Sequence, residues 1–398
     1  MIPLRFKNYT TVNALGRGVG ETFHALLQSR TGLRPCDFEN RHIETYIGKV
    51  EGIDNPGIGN GLDRFDCRNN RLALLGVQQD GFQQSVAETC RKYGAHRLAV
   101  IMGTSTSGIL EVEHAYQNRD GHTQALPASF YVQAPVTHSM FSVGDFVRRS
   151  LQVEGPAVVI STACSSSAKG FACASRLIDA GLCDAAVVVG VDTLCLNTLY
   201  GFSSLGLVSS TPCRPCDVHR DGLNLGEGAA FVLLEKLEND PPTGSIIFRG
   251  YGESCDGYRM AHPHPTGEGA ILAMRHALHR ANVRPEEIGY IKLHGTATQA
   301  NDLVEDSAIH TIFDSSPPCS SIKGWIGHTL GAAGAVELVF LALCLTHRLL
   351  PGTLNTTTLD PLLKSHILLH HKRTSVKWAL GNFFGFGGNN CSLLLELI

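Results

Sequence analysis

Cys164 is the residue whose type and setting most directly suggest chemistry. It lies in AVVISTACSSSAKGFACASRLIDAGL, residues 157–182. Residues 157–161 read as a short buried strand that cannot continue through the small polar run after it. From Ser165 onward Ala168, Phe171, Ala172, Ser175 and Ile178 recur at helical spacing, and Gly181 supplies a stop. The cysteine therefore sits where a strand hands over to a helix. Unpaired backbone N–H groups and the positive end of the helix dipole favour a thiolate there, which is a setting for a nucleophile. A merely packed cysteine fits the same residues, because free cysteine is among the most buried types. A second passage has a similar form: Lys323 and His328 fall between a short strand expected over 319–323 and a long helix expected over 330–346. His294, in KLHGTAT, closes a further strand.

Other reactive-type residues lack such company. Cys213 and Cys216 form CRPC, but no second CxxC pair lies nearby to complete a zinc set. His262, His264, His370 and His371 belong to a chain with 18 histidines, most of which must be surface or satisfied core residues. The 13 cysteines are scattered and mostly within apolar runs, as expected of reduced thiols in the cytoplasm. A net charge of -3 gives no global basicity that would draw the chain to nucleic acid. The N-terminus lacks the apolar core of a signal peptide, and the longest apolar run, 338–345, falls well short of the roughly 18 residues of a membrane span.

The elements that must position these residues alternate. A strand candidate and a helix open the chain, residues 63–97 are mostly helical, and LAVIMG is a buried strand ending in a Gly-Thr-Ser-Thr-Ser-Gly turn. The Cys164 passage, the strand AAVVVGVDT and the strand GEGAAFVLLEKL follow, giving the βαβ order of a parallel sheet. Pro241, Pro242 and Gly244 then break the pattern, dividing the chain into 1–242 and 243–398. The second part repeats the rhythm, with a strand near 245–252 and another within EEIGYIKLHGTAT that ends near His294, helices over 269–282 and 302–313, and a glycine-rich turn, GFGGNN, before a terminal strand.

The ordered set STACSSSAKG, RDGLNLGEGAA, KLHGTATQAND, KGWIGHTLGAAGAVE and NFFGFGGNN resembles the β-ketoacyl-acyl carrier protein synthases, elongating condensing enzymes of the Cys-His-His type, nearly end to end. The resemblance implies an α/β thiolase-like fold, two duplicated βαβαβαββ halves in α-β-α-β-α layers. It implies that Cys164 carries the acyl group, that His294 and His328 stabilise the charge formed when malonyl thioester loses CO2, and that Lys323 supports the histidine network. The backbone N–H groups of Cys164 and Phe386 would form the oxyanion hole. Phe386 would also gate the acyl pocket, and Thr296 and Thr298 would bind the pantetheine arm. Glu337 matches a structural glutamate. No cofactor or metal is implied. The partners implied are acyl- and malonyl-loaded acyl carrier protein and a second subunit, as a homodimer or as a heterodimer with a related chain.

The sequence departs from the family pattern at several points. FKNYTTVNALG replaces a more apolar opening, so the first strand is expected to be shorter or more exposed. Cys216 and Leu223 stand where aromatics are common, Asn389 stands where threonine is usual, and residues 255–265 differ after their aspartate. These changes bear on the acyl pocket and on carrier docking, for which Arg148, Arg149 and Lys169 are a candidate basic patch. The alternatives are a thiolase-like acyltransferase with Cys391 as a second cysteine, a cysteine hydrolase, and a non-catalytic partner subunit of a heterodimer, against which Cys164 itself argues, leaving open a catalytic ketosynthase subunit that needs such a partner.

Overall fold

The aliphatic and β-branched runs become the strands of a sheet covered on both faces, which is why they read as continuous rather than alternating. The structure is a computed structural model and describes residues 1–55, 57–59 and 61–398. The first part contributes β1 (Leu4–Asn13), β2 (Leu98–Gly103), β3 (Ala157–Ile160), β4 (Ala185–Asp192) and β5 (Gly228–Lys236). The second contributes β6 (Ile246–Cys255), β7 (Ile288–Lys292), β8 (Cys319–Ser320), β9 (Trp378–Gly385) and β10 (Asn389–Leu397). Their order is β8-β7-β9-β10-β6-β1-β5-β4-β2-β3, with Gly16–Arg17 paired beside β1.

Each part is the same sheet. Counting strands within each part, both read third, second, fourth, fifth, first. The directions agree as well: the first three neighbours are parallel and the last two pairings antiparallel in both. The parts meet edge to edge where Leu4 faces Phe248 and Arg5 faces Ile247. This is the duplicated thiolase-like architecture.

Four helices bear on the site: α1 (Ser166–Asp179), α2 (Leu196–Ser204), α3 (Gln299–Ile312) and α4 (Ala333–Thr346). Helix α4 is buried from Ala333 to Leu345, as a helix covered on every side must be. It packs on α1 and on strands of both parts, β5 and β9. Small residues let α1 and α4 approach closely. A Cβ on Gly334 would lie 2.2 Å from the Ala168 nitrogen, so no side chain fits there. The Ser167 hydroxyl then joins the two helix starts, donating to the Gly331 carbonyl at 2.6 Å and accepting from Ala335 N–H at 2.9 Å.

Three local expectations are corrected. Strand β3 is half-buried along its whole length rather than buried, because it is the last strand of the sheet and β2 alone pairs with it. The opening strand is neither short nor exposed: it runs for 10 residues between β5 and β6, and its polar Thr10, Thr11 and Asn13 are buried. Residues 378–385 form a full strand before the glycine turn, where only a turn was read. Among the described residues no helix is long and apolar enough to cross a membrane.

The closeness of α1 and α4 is testable. Gly334→Ala is expected to lose roughly 1–3 kcal/mol in urea unfolding through overpacking. Gly201→Ala, exposed within α2 where a Cβ would meet nothing within 4 Å, should keep the wild-type midpoint or raise it, by up to about 1 kcal/mol of helix propensity. Equal midpoints for the two variants would contradict the packing argument.

Candidate active site

A cleft of about 360 Å³ leads to Cys164 and is lined by His294, His328, Thr296, Thr298 and Phe386 among others. Five of the six residues picked out around Cys164 thus face one space, and the sixth, Lys323, lies buried directly behind His294. The cysteine sulfur and one ring nitrogen of each histidine all lie within 4.8 Å of one another.

Cys164 stands on a bent turn between β3 and α1. Ala163 has φ 54, an uncommon conformation for a residue with a Cβ, and such strain gathers at functional sites. The turn is held by Ser166, whose hydroxyl accepts from Thr162 N–H at 2.8 Å, and by Ser165, which donates to the Thr162 carbonyl at 2.9 Å. Burial pushes the thiol up to about 11, against the positive charge of Lys323 and the backbone N–H groups of Phe386 and Cys164, which favour the thiolate. The expectation of a resting thiolate is therefore corrected: α1 starts only at Ser166, and loss of water outweighs its dipole. The same N–H groups of Phe386 and Cys164 are directed at the sulfur, where they can also meet a carbonyl oxygen bonded beside it.

His328 Nε2 lies 2.9 Å from Cys164 Sγ. Its backbone is clamped, with its N–H donating to the Asn224 carbonyl at 2.7 Å and its carbonyl accepting from Gly226 N–H at 3.0 Å. Gly327, with φ 76, makes this possible, since a Cβ there would lie 2.9 Å from the Gly226 nitrogen. His294 is held by Glu305 of α3, which accepts its backbone N–H at 2.8 Å and that of Gly295 at 2.9 Å. The two imidazole rings meet edge to face at 5.6 Å.

Lys323 does not extend a strand. It starts a short helical turn, Lys323–Ile326, where Cys213 Sγ donates to its carbonyl at 3.2 Å. Its ammonium contacts the His294 carbonyl, Glu337 Oε1 at 2.8 Å and His294 Nδ1 at 3.4 Å. An ammonium can only donate, so Nδ1 accepts and the ring proton of His294 sits on Nε2, towards the cleft. Burial first, and then the charge of Lys323, hold both histidines well below the ordinary imidazole range. The site is thus a neutral thiol beside two neutral imidazoles, with a buried cation behind them.

At the mouth, Thr296 and Thr298 share a hydrogen bond at 2.8 Å, and the Phe386 ring stacks on Phe202 of α2 at 5.4 Å. The variant region 255–265 is tied to the glycine turn. Asp256 accepts from His264 N–H at 3.0 Å and from the Asn390 side chain at 2.7 Å, while the Met260 carbonyl accepts Gly387 N–H at 2.7 Å.

Other candidates lie elsewhere. Lys169 donates to Asn389 Oδ1 at 2.9 Å, which gives that asparagine its role, and Arg148 and Arg149 both pair with Asp145, at 3.0 and 2.9 Å. Cys391 is buried in β10 and does not line the cleft. His371 stacks on Trp325 and bonds the Leu26 carbonyl at 2.9 Å, a structural role. Asn224, Glu305 and Ala163 were missed. Asn224 lies within a quoted motif, whereas nothing in the spacing of 11 residues marks Glu305 as the clamp of His294.

Family models for the beta-ketoacyl synthase N-terminal domain and the beta-ketoacyl synthase C-terminal domain match residues 12–240 and 246–357. A 3-oxoacyl-[acyl-carrier-protein] synthase 2 of Vibrio cholerae is 30% identical over 97% of this chain and 96% of its own. Among solved structures, the ketosynthase ApeO of Xenorhabdus doucetiae, in complex with its chain length factor ApeC, is 36% identical with a TM-score of 0.88, covering 100% of this chain and 98% of that one. The ishigamide ketosynthase/chain length factor is 25% identical with a TM-score of 0.86, covering 100% and 99%.

The protonation states give a direct test. The imidazole ¹⁵N resonances of His294 and His328, assigned with His→Ala variants, are expected to report neutral rings as pH falls from 8 through the ordinary imidazole value of about 6.5. Because the unfolded chain protonates first, stability should fall as pH drops through 6.5. Protonation of either ring near 6.5 would contradict the reading.

Proposed function

The chain belongs to the beta-ketoacyl synthase family, and from that premise we propose that it joins an acyl group held on Cys164 to malonyl-acyl carrier protein, with loss of CO2. The observation that carries the reading is the thiol placed 2.9 Å from one of two neutral imidazoles. His328 Nε2 takes the thiol proton as sulfur attacks the acyl thioester carbonyl. The N–H groups of Cys164 and Phe386 hold the oxyanion until the carrier thiolate leaves, taking up that proton. The malonyl thioester oxygen then lies against the Nε2–H of His294, with the buried Lys323 behind that ring. The C–C bond to the carboxylate breaks, CO2 departs, and the electron pair becomes an enolate stabilised by that donor. The enolate carbon attacks the acyl carbonyl, and Cys164 leaves as the thiolate, which takes a proton from solvent to return to the resting thiol. Neutral imidazoles suit this task better than a strong base, because decarboxylation needs no proton removed. Thr296 and Thr298 would bond the pantetheine amides, and Phe386, stacked on Phe202, would close the acyl pocket.

In this reading the halves divide the work. Residues 1–242 supply the nucleophile, and residues 243–398 supply both histidines, Lys323 and one oxyanion donor. No metal or cofactor takes part. Cys391, buried in β10 outside the cleft, gives no support to a thiolase-type second cysteine.

A second subunit is favoured by β3, an apolar edge strand half-exposed from end to end, beside which no further strand pairs among the described residues. A homodimer would satisfy it. A catalytic subunit paired with a related, non-catalytic chain is the other reading, supported by the 36% identity to a ketosynthase solved with a chain length factor.

Incubation with malonyl carrier and a series of acyl carriers, read by mass spectrometry, should give 3-ketoacyl products. Cys164→Ala should lower condensation by about 10³-fold or more while malonyl decarboxylation persists, and His294→Ala should lose decarboxylation. A 3-ketoacyl product that survives in Cys164→Ala would overturn the assignment. Native mass spectrometry of the active protein is expected to find a dimer. An active monomer would contradict the role given to β3.

A further inference from the structure

Lys292 is a buried cation that the reaction scheme does not use. It ends β7, two residues before His294, and its side chain is 1% exposed. Its ammonium contacts Glu337 Oε2, donates to the Asn382 carbonyl at 3.0 Å and lies 4.0 Å from the centre of the Phe383 ring. Glu337 is therefore shared: Oε1 binds Lys323 at 2.8 Å and Oε2 binds Lys292. Two ammonium groups stand on one carboxylate, out of water, immediately behind the histidines.

This sharing has a geometric consequence. A carboxylate whose second oxygen were free would turn both oxygens onto Lys323, the stronger arrangement for an isolated pair. That would draw the ammonium from His294 Nδ1 and cancel its charge. With Oε2 held by Lys292, Lys323 keeps its bonds to His294, and the single carboxylate of Glu337 does not neutralise both ammonium groups. Lys292 also anchors Asn382 in β9, whose side chain donates to Glu305 Oε1 at 3.1 Å, the same carboxylate that clamps His294. Strand β9 leads directly to Phe386 and its oxyanion N–H.

We propose that Lys292 is a positioning residue of the condensing site. Through Glu337 it commits Lys323 to His294, and through Asn382 it fixes the strand that presents Phe386. The inference rests on the condensing role proposed for Cys164, His294 and His328, and it adds a residue that acts on no substrate atom. The charged groups facing Lys292 are Glu337 from α4, Lys323 from its turn and Glu305 from α3, and burial pushes Lys292 itself down to about 8. Its charge is thus present at neutral pH and lost as pH rises through that value.

The test compares wild type, Lys292→Met and Lys292→Arg in malonyl decarboxylation and in the ¹⁵N spectrum of His294. Lys292→Met is expected to lower kcat roughly 10-fold with KM for malonyl carrier unchanged, because the loss falls on charge formed in the transition state. Its His294 ring should lose the uniform Nε2–H tautomer. Lys292→Arg should restore kcat to within about threefold and move the basic limb of the wild-type kcat profile, expected near pH 8, to higher pH. Wild-type kcat, tautomer and profile in Lys292→Met would overturn the inference, as would losses that merely track the fraction of folded protein. Should Lys292→Met not fold, an unmoved basic limb in Lys292→Arg overturns it alone. Absence of decarboxylation in wild type would instead overturn the condensing role itself.

Discussion

The site depends on how closely two helix starts can approach. Helices α1 and α4 occupy the same place in the two duplicated sheets, and each is preceded by a turn carrying a reactive side chain. Only because Gly334 has no Cβ can α4 lie against the Ala168 backbone, and only then does His328 reach Cys164 at 2.9 Å. The Ser167 hydroxyl, bonded to both the Gly331 carbonyl and Ala335 N–H, fixes that approach. The duplication is thus the means by which a cysteine from one half and two histidines from the other share one cleft.

Burial then sets the chemical character of these groups. A thiol raised to about 11 and two imidazoles held below their ordinary range are neutral together at pH 7. In the proposed reaction charge appears only as the steps proceed, first on sulfur or a carbonyl oxygen, then on an enolate. The groups waiting for it are already oriented: the N–H groups of Cys164 and Phe386, the Nε2–H of His294, and the buried Lys323 behind them. Little reorganisation is needed at the moment charge forms, which is the main source of electrostatic catalysis.

Much of this was legible in the sequence because it rests on local pattern. The small-residue run after β3, the strand ending before His294 and the long apolar helix after His328 each announce an element and a reactive residue at its end. The family match supplied their convergence, which no local pattern contains. What stayed hidden depends on pairings distant in sequence. Glu305 reads as one more helical acid until its carboxylate meets the backbone of His294, and Lys292 reads as a strand-end lysine until it shares Glu337 with Lys323. The exposed edge of β3 was hidden for the same reason, since apolar content reveals that a strand is covered somewhere but not by which chain. The state of Cys164 was misread because a helix start is visible in sequence and the depth of burial is not.

The central claim is that one acyl group on Cys164 is consumed by one decarboxylated malonyl unit. A single-turnover measurement tests it: acylated protein is isolated, the modified peptide is identified, and malonyl carrier labelled with ¹³C in its free carboxyl is added. The account predicts acyl mass on the Cys164 peptide alone, then one labelled CO2 released for each 3-ketoacyl chain formed. Acyl transfer to another residue, or discharge of the acyl group as free acid without labelled CO2, would contradict it.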